Sequence, residues 1–186
     1  NSTTNFNPRT KPMTMIVDWQ IQDLCTGPQS VNLITPFSKP LLNPCSYDVT
    51  LQKKAYIQQH GSGIGSEQGS AQWLSVNLPY YLPKSTLIIC ATEQRLKLPK
   101  NIAGLFYLKS SRAREGWDHL NARFADPGYE GNLTLEIVHH SEYPMLLSPG
   151  KRFGQIVFHK LSEIPKSDYS VTGRYQGDSK PQLSKG

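Results

Sequence analysis

Cysteine is scarce and scattered in this chain. Only Cys25, Cys45 and Cys90 occur, an odd number with no C-x-x-C spacing. Neither a disulfide framework nor a zinc cluster is implied, and a reducing, cytoplasmic setting is the simplest expectation. No apolar run approaches the ~20 residues that span a bilayer, and the first residues lack the apolar core of a secretory signal, so no membrane partner is expected. Phosphate-loop signatures are missing too. Residues 60–71 (HGSGIGSEQGSA) are glycine-rich, but they match neither a Walker sequence nor a dinucleotide fingerprint, and no helix pattern follows. A flexible hairpin loop is expected there. Asn132-Leu133-Thr134 spells a glycosylation acceptor, which is incidental inside a cytosolic protein.

The 186 residues suffice for one domain with a single core, and 37% hydrophobic with 18% charged residues describes an ordinary globular chain. The net charge of +6 suits a polyanionic ligand, a nucleotide and a nucleic acid equally well.

Long helices are not expected, because fourteen glycines and fourteen prolines fall between short apolar runs. Residues 1–12 are polar and aperiodic and read as an N-terminal extension, with the folded domain beginning at Met13 or Met15. Ile16, Trp19, Ile21 and Leu24 lie near a 3.6-residue spacing, predicting a short amphipathic helix stopped by Gly27-Pro28. Period-two patterning then predicts strands over 31–35, 46–57, 72–78, 86–92, 104–108, 132–138 and 154–161. Seven or more short strands separated by turn residues point to a sandwich or a barrel.

Chemistry concentrates between Lys109 and Glu136. Lys109-Ser110-Ser111-Arg112-Ala113-Arg114 follows an apolar strand, and its serine pair is expected to cap one helical turn. Hydroxyls, backbone N–H groups and cations would converge there, as a phosphate requires, although a capped turn with a solvated basic face uses the same residues. Asp126-Pro127-Gly128 is strong turn chemistry. It predicts a hairpin pairing 121–125 with 132–138, which would bring Asn121 near Glu136. Glu136 interrupts an apolar strand: Leu133, Leu135 and Ile137 share one face, Thr134, Glu136 and Val138 the other. The carboxylate either faces solvent or sits in a pocket, where desolvation would raise its pKa toward a value useful for proton transfer.

Six blocks taken in order resolve these alternatives. NPCSYDVTL (43–51), ATEQRLKLP (91–99), KSSRAR (109–114), HLNARFADPGYEGNLTLEI (119–137), SPGKRFGQIVF (148–158) and GRYQG (173–177) resemble the dCTP deaminase branch of the dCTP deaminase and dUTPase superfamily, over roughly residues 15–184. The resemblance implies a mainly β fold, a dUTPase-like distorted β-barrel or jelly roll with short helices. It also implies a homotrimer with active sites at subunit interfaces. Residues 13–166 would form this domain, and 167–186 a segment closing over the nucleotide.

The same resemblance implies the site. Glu136 would be the catalytic acid/base, acting on a water held by Ser110 and the carbonyl of Ala122. The nucleotide would be bound by Lys109, Ser111, Arg114, Asn121, Arg123, Asp126, Tyr129, Gln155, Arg174, Tyr175 and Gln176. Ser111 and Arg114 match triphosphate positions, and Lys109 replaces an arginine, keeping the charge without the bidentate fork. Magnesium would ride on the triphosphate of dCTP or dUTP, with no metal on the protein. Zinc is not expected, because the P-C-x-x-C half of a zinc deaminase is missing after Pro44-Cys45. A nucleic acid is not the expected partner.

Three departures stand out: a loop between Arg114 and His119 shorter by one residue, Asn121 in place of threonine, and Gly177-Asp178-Ser179-Lys180-Pro181 in place of Gly-Gln-x-Gly-Pro. The product turns on Ala122-Arg123-Phe124-Ala125-Asp126. Arg123 where hydrolysing members carry glycine favours deamination to dUTP alone, whereas Phe124 favours the bifunctional reaction that yields dUMP and pyrophosphate. A dUTPase without deaminase activity, or a regulator that has lost catalysis, fits Glu136 less well.

Overall fold

The computed structural model describes residues 12–59 and 72–185. The expected N-terminal extension, apart from Pro12, and the glycine-rich segment 60–71 lie outside the described residues.

Among the described residues, the mainly β reading holds, and the strands form two six-stranded antiparallel sheets without closing into a barrel. The first sheet comprises β1 (Thr14–Met15), β3 (Leu42–Asn43), β4 (Ser46–Thr50), β9 (Ile102–Leu108), β11 (Phe124–Ala125) and β14 (Arg152–Lys160). The second comprises β2 (Ile34–Thr35), β5 (Lys54–Gln58), β6 (Trp73–Asn77), β8 (Ile88–Lys97), β10 (Trp117–His119) and β12 (Glu130–His139). A separate pair joins β7 (Tyr80–Leu82) to β13 (Met145–Leu147). Tyr47, Phe106, Ile156 and Phe158 of the first sheet and Ile88, Leu96, Leu135 and Ile137 of the second share one buried core. No described helix is long and apolar enough to cross a membrane.

The strand expected over 46–57 is two strands. Leu51 pairs with Thr92 just past β4, the chain turns at Gln52-Lys53, and β5 joins the other sheet. One apolar run thereby feeds both layers of the core.

Helix α1 (Asp18–Thr26) begins two residues later than its spacing suggests, because Ile16 is still extended and donates its N–H to Phe158 O at 2.9 Å. That shift turns Ile21 and Cys25 inward and leaves Trp19 62% exposed, contrary to its expected place on the apolar stripe. Two positions apart on a helix is about 200°, so Ile21 and Trp19 cannot both face the core.

Close packing of β14 between β4 and β9 requires glycine at Gly154. A Cβ there would lie 2.1 Å from the Phe106 ring.

Candidate active site

The catalytic candidate sits on an interior strand. In β12, Glu136 faces Ile89 of β8 across one ladder, and on the other edge Ile137 faces His119 of β10. A register shift between Asn132 and Thr134 brings Leu133 into the lining of the Glu136 cavity along with Thr134, so strict alternation fails at Leu133. The cavity encloses about 410 Å³, in the range of small-ligand pockets. Ile89, Leu87 and Trp73 form an apolar wall. Ala122, Phe124, Asp126 and Tyr129 also line it, as do Tyr175, Asp178 and 182–184 of the C-terminal segment.

The expected turn at Asp126-Pro127-Gly128 is present. Tyr129 N–H donates to Asp126 O at 3.0 Å, and Gly128 holds φ +84°, the left-handed region that glycine adopts without strain. The hairpin predicted around it is not. β11 pairs with β9 of the first sheet, while β12 pairs with β10 and β8 of the second. The turn thus carries the chain from one sheet to the other. Tyr129 braces it, its hydroxyl donating to Asn132 O at 2.9 Å, and Asn132 Nδ2 donates to Thr92 O at 2.9 Å.

Asn121 reaches the neighbourhood of Glu136 by another route, since Leu120 N–H donates to Glu136 O at 3.1 Å. Asn121 itself holds φ +63°, and Arg123 donates to its Oδ1 at 2.8 Å. Asparagine tolerates this left-handed backbone, whereas a β-branched threonine would be strained there. The departure at this position therefore has a local structural reason.

Burial pushes the pKa of Glu136 above the usual carboxylate range. Its Oε2 lies 3.6 Å from Nε2 of His119, and among the described residues neither atom has a hydrogen-bond partner. Burial, then the Arg123 guanidinium, pushes His119 from 6.5 down to about 4, so this imidazole is neutral at pH 7. The Phe106 ring packs on it with centroids 4.8 Å apart. His119 was not among the site residues expected from sequence; only the register of β10 on β12 reveals it.

Of the expected catalytic trio, Glu136 and Ala122 share the cavity, and Ser110 does not. Asp126, Tyr129 and Tyr175 also line it. Lys109, Ser111, Arg114, Asn121, Arg123, Gln155, Arg174 and Gln176 lie outside its lining. Gln176 bonds Glu130 N–H and Gly128 O instead, at 3.1 Å each, and Gln155 Oε1 accepts from Ser46 Oγ at 2.9 Å. Arg123 packs over the Tyr107 ring. Helix α2 (Ser110–Arg114) is the expected single turn, but the serines do not cap it: Lys109 is its N-cap, without a side-chain capping bond. Lys109 Nζ is paired with Asp48 at 2.7 Å. Among the described residues, the cavity lining thus contains Asp126, Glu136 and Asp178 but no lysine or arginine.

One H-x-E triplet does occur, His140-Ser141-Glu142. Its imidazole bonds Asp118 at 3.2 Å at the surface, and no group of three or more His, Cys, Asp or Glu among the described residues is arranged to hold a metal ion.

Comparison with known proteins gives a consistent picture. A family model described as dCTP deaminase-like matches residues 16–161. The dCTP deaminase of Thermococcus gammatolerans is 39% identical over 173 residues, covering 92% of this chain and 96% of that protein. A protein of Corynebacterium efficiens named dCTP deaminase, dUMP-forming, is 30% identical over 164 residues, covering 82% of this chain and 85% of its own length. Among solved structures, the 2′-deoxycytidine 5′-triphosphate deaminase of Agrobacterium tumefaciens matches with a TM-score of 0.61 and 22% identity, over 82% of this chain and 49% of that one. The chain thus spans about half the length of that structure, and the likeness is one of fold.

Proposed function

The chain belongs to the dCTP deaminase-like family, and from that premise we propose that it converts dCTP and water to dUTP and ammonia without zinc. The observation that carries this reading is the Glu136 carboxyl with its raised pKa, whose buried Oε2 has no hydrogen-bond partner among the described residues, set in a largely apolar cavity of nucleoside size. A base with a pKa moved toward the working pH is more effective in proton transfer, which contributes about 10²–10⁴-fold to such reactions.

In this mechanism Glu136 takes a proton from a water also held by the Ala122 carbonyl. The hydroxide adds to C4 of cytosine, forming the C4–O bond. Glu136 passes that proton to N3, then takes the proton of the new C4 hydroxyl and delivers it to the amine; C4=O forms as the C4–N bond breaks, and ammonia leaves. Neutral His119, 3.6 Å from the carboxyl, is beyond hydrogen-bond distance and places no counter-charge beside it. Asp126 and Tyr129 would flank the sugar, with Tyr175 over it.

The phosphates need cations, and the described residues of this cavity's lining supply none. Ser110, Ser111 and Arg114 are exposed on α2, outside the cavity lining. A homotrimer in which one subunit brings Glu136 and its neighbour brings Ser110, Ser111 and Arg114 would complete the site. Magnesium belongs to this reading as a companion of the triphosphate, on the substrate rather than the protein.

Incubation with dCTP and magnesium, with dUTP, dUMP, pyrophosphate and ammonia resolved, tests the proposal. Ammonia and dUTP should appear in equal amounts, and a zinc-specific chelator should leave the rate unchanged. Absence of ammonia sinks it. A second reading, deamination followed by hydrolysis to dUMP and pyrophosphate, has a specific observation in its favour: Phe124 lines the cavity. Arg123 in place of glycine weighs against it. Production of dUMP without free dUTP would replace the first reading with the second.

A further inference from the structure

Asp48, on β4, is completely buried and belongs to no part of the Glu136 cavity. Its carboxylate accepts from Lys109 Nζ at 2.7 and 2.8 Å and from Asn43 Nδ2 at 2.8 Å. Arg152 Nη1 approaches it at 3.4 Å, while Arg152 Nη2 donates to Pro40 O at 2.7 Å. A buried carboxylate costs several kcal/mol unless it is paired and hydrogen-bonded, and here the pairing joins three segments: β4, the β9–α2 junction and the start of β14.

The helix that follows contributes little to fixing the junction by itself. Helix α2 has five residues and no side-chain capping bond at Lys109, so its own propensity contributes little. Its attachment at the N-terminal end is the Lys109 residue, through Lys109 N–H to Phe153 O at 3.1 Å and the ammonium to Asp48. The Lys109 side chain is only 25% exposed.

We propose that Asp48 is a positioning residue for the nucleotide's phosphates. It holds Lys109 as a strut that fixes α2, and Lys109 acts through the placement of Ser111 and Arg114 rather than by touching phosphate. This rests on the reading of Ser111 and Arg114 as phosphate contacts given above. The sequence does not distinguish the two roles of Lys109; the direction of its ammonium, toward Asp48, does.

Steady-state kinetics on the full-length wild-type protein and three variants test it. Ammonia release from dCTP by the wild type is read first. If there is none, the proposed function fails, whatever the variants do. With an active wild type, Asp48→Asn and Lys109→Met should each raise KM for dCTP about ten- to hundredfold, the size of one lost charged hydrogen bond, with kcat within about threefold. The double variant should be no worse than the worse single one, because both changes cut the same strut. Lys109→Arg, which keeps a cation for Asp48, should restore most of the affinity. Lys109→Met leaves Asp48 with Asn43 and Arg152, so it remains decisive if Asp48→Asn does not fold. Unchanged KM in Lys109→Met overturns the proposal. So does a lower KM in Asp48→Asn, which would mean that Asp48 restrains a lysine otherwise free to touch phosphate. KM factors that multiply in the double variant, or a fall in kcat at constant KM, also overturn it.

Discussion

The region around Glu136 and the region around α2 are built in opposite ways. Glu136 is held in the middle of a sheet, with a ladder on each side, an apolar wall and a neutral imidazole beside it. Helix α2 is a single exposed turn rich in cations, tied to the body through Lys109 and one buried carboxylate. The difference follows from what each region has to do. A general base benefits from a desolvated, rigid setting that shifts its pKa, and the interior of a sheet provides one here. Cations that meet a triphosphate are cheapest at the surface, where they need not be desolvated until the ligand arrives. The contrast is also what a site shared between two copies requires.

The largest expected effect breaks the buried region alone. Glu136→Gln should lower kcat for ammonia release by at least about 10²–10⁴-fold. The same variant should keep its affinity for dCTP in equilibrium binding, since the phosphate contacts are elsewhere. It should also melt no lower than the wild type, because an amide costs less to bury than a carboxylate. A lost affinity would mean that the two regions are not separable.

His119 supplies the next test, through pH. Its folded pKa of about 4 lies below the ordinary 6.5, so between these values the unfolded chain binds the extra proton and stability falls as the pH drops. The full arm is on the order of 3 kcal/mol at about 1.4 kcal/mol per unit. Glu136, with its raised pKa, works the other way, because its protonation relieves a buried charge as the pH falls. His119→Gln should therefore remove most of the acid-side slope of stability between pH 6.5 and 4 in urea titrations. If wild type and variant lose stability in parallel over that window, His119 is not buried neutral.

How much of this contrast could be read from the chain depended on whether the signal was local. The Asp126-Pro127-Gly128 turn, the single-turn α2 and the parity of Glu136 with Thr134 along β12 are set by residues within a few positions. All three appear as expected. The hairpin did not form, because turn chemistry fixes a reversal but not the partner; β11 finds its ladder in β9, twenty residues earlier in the chain. Likewise Trp19 faces out because a long-range bond from Ile16 to Phe158 delays the start of α1. His119 and Asp48 were invisible for the same reason. Each acquires its meaning from a partner 17 or 61 residues away.

The exposed region can be broken separately. Arg114→Ala should raise KM for dCTP by about ten- to hundredfold, the loss of one charge-assisted hydrogen bond, while deoxycytidine is affected far less. Co-expression sharpens the comparison further. Chains carrying Glu136→Gln and chains carrying Arg114→Ala, each poorly active alone, should regain activity when assembled together, since some sites then combine an intact Glu136 with an intact Arg114. Mixtures that stay at the average of the two parents would place both regions in one site of a single chain.

The smallest effect tests where the buried region ends. Tyr129 is 6% exposed, lines the cavity, and donates its hydroxyl to Asn132 O at 2.9 Å. Burial pushes its phenol pKa upward, so it remains a donor at neutral pH. Tyr129→Phe keeps the ring against the cavity and removes only that donor. The net worth of such a bond is about 1 kcal/mol, and for a chain of this length that corresponds to a melting temperature lower by about 2–4 °C. If the hydroxyl serves only the turn, kcat and KM should stay within about twofold, because the ring that lines the cavity is unchanged. A KM for dCTP that rises tenfold while stability stays near wild type would mean instead that the hydroxyl leaves Asn132 for the sugar when the nucleotide binds. The turn joining the two sheets would then belong to the binding surface as well as to the fold.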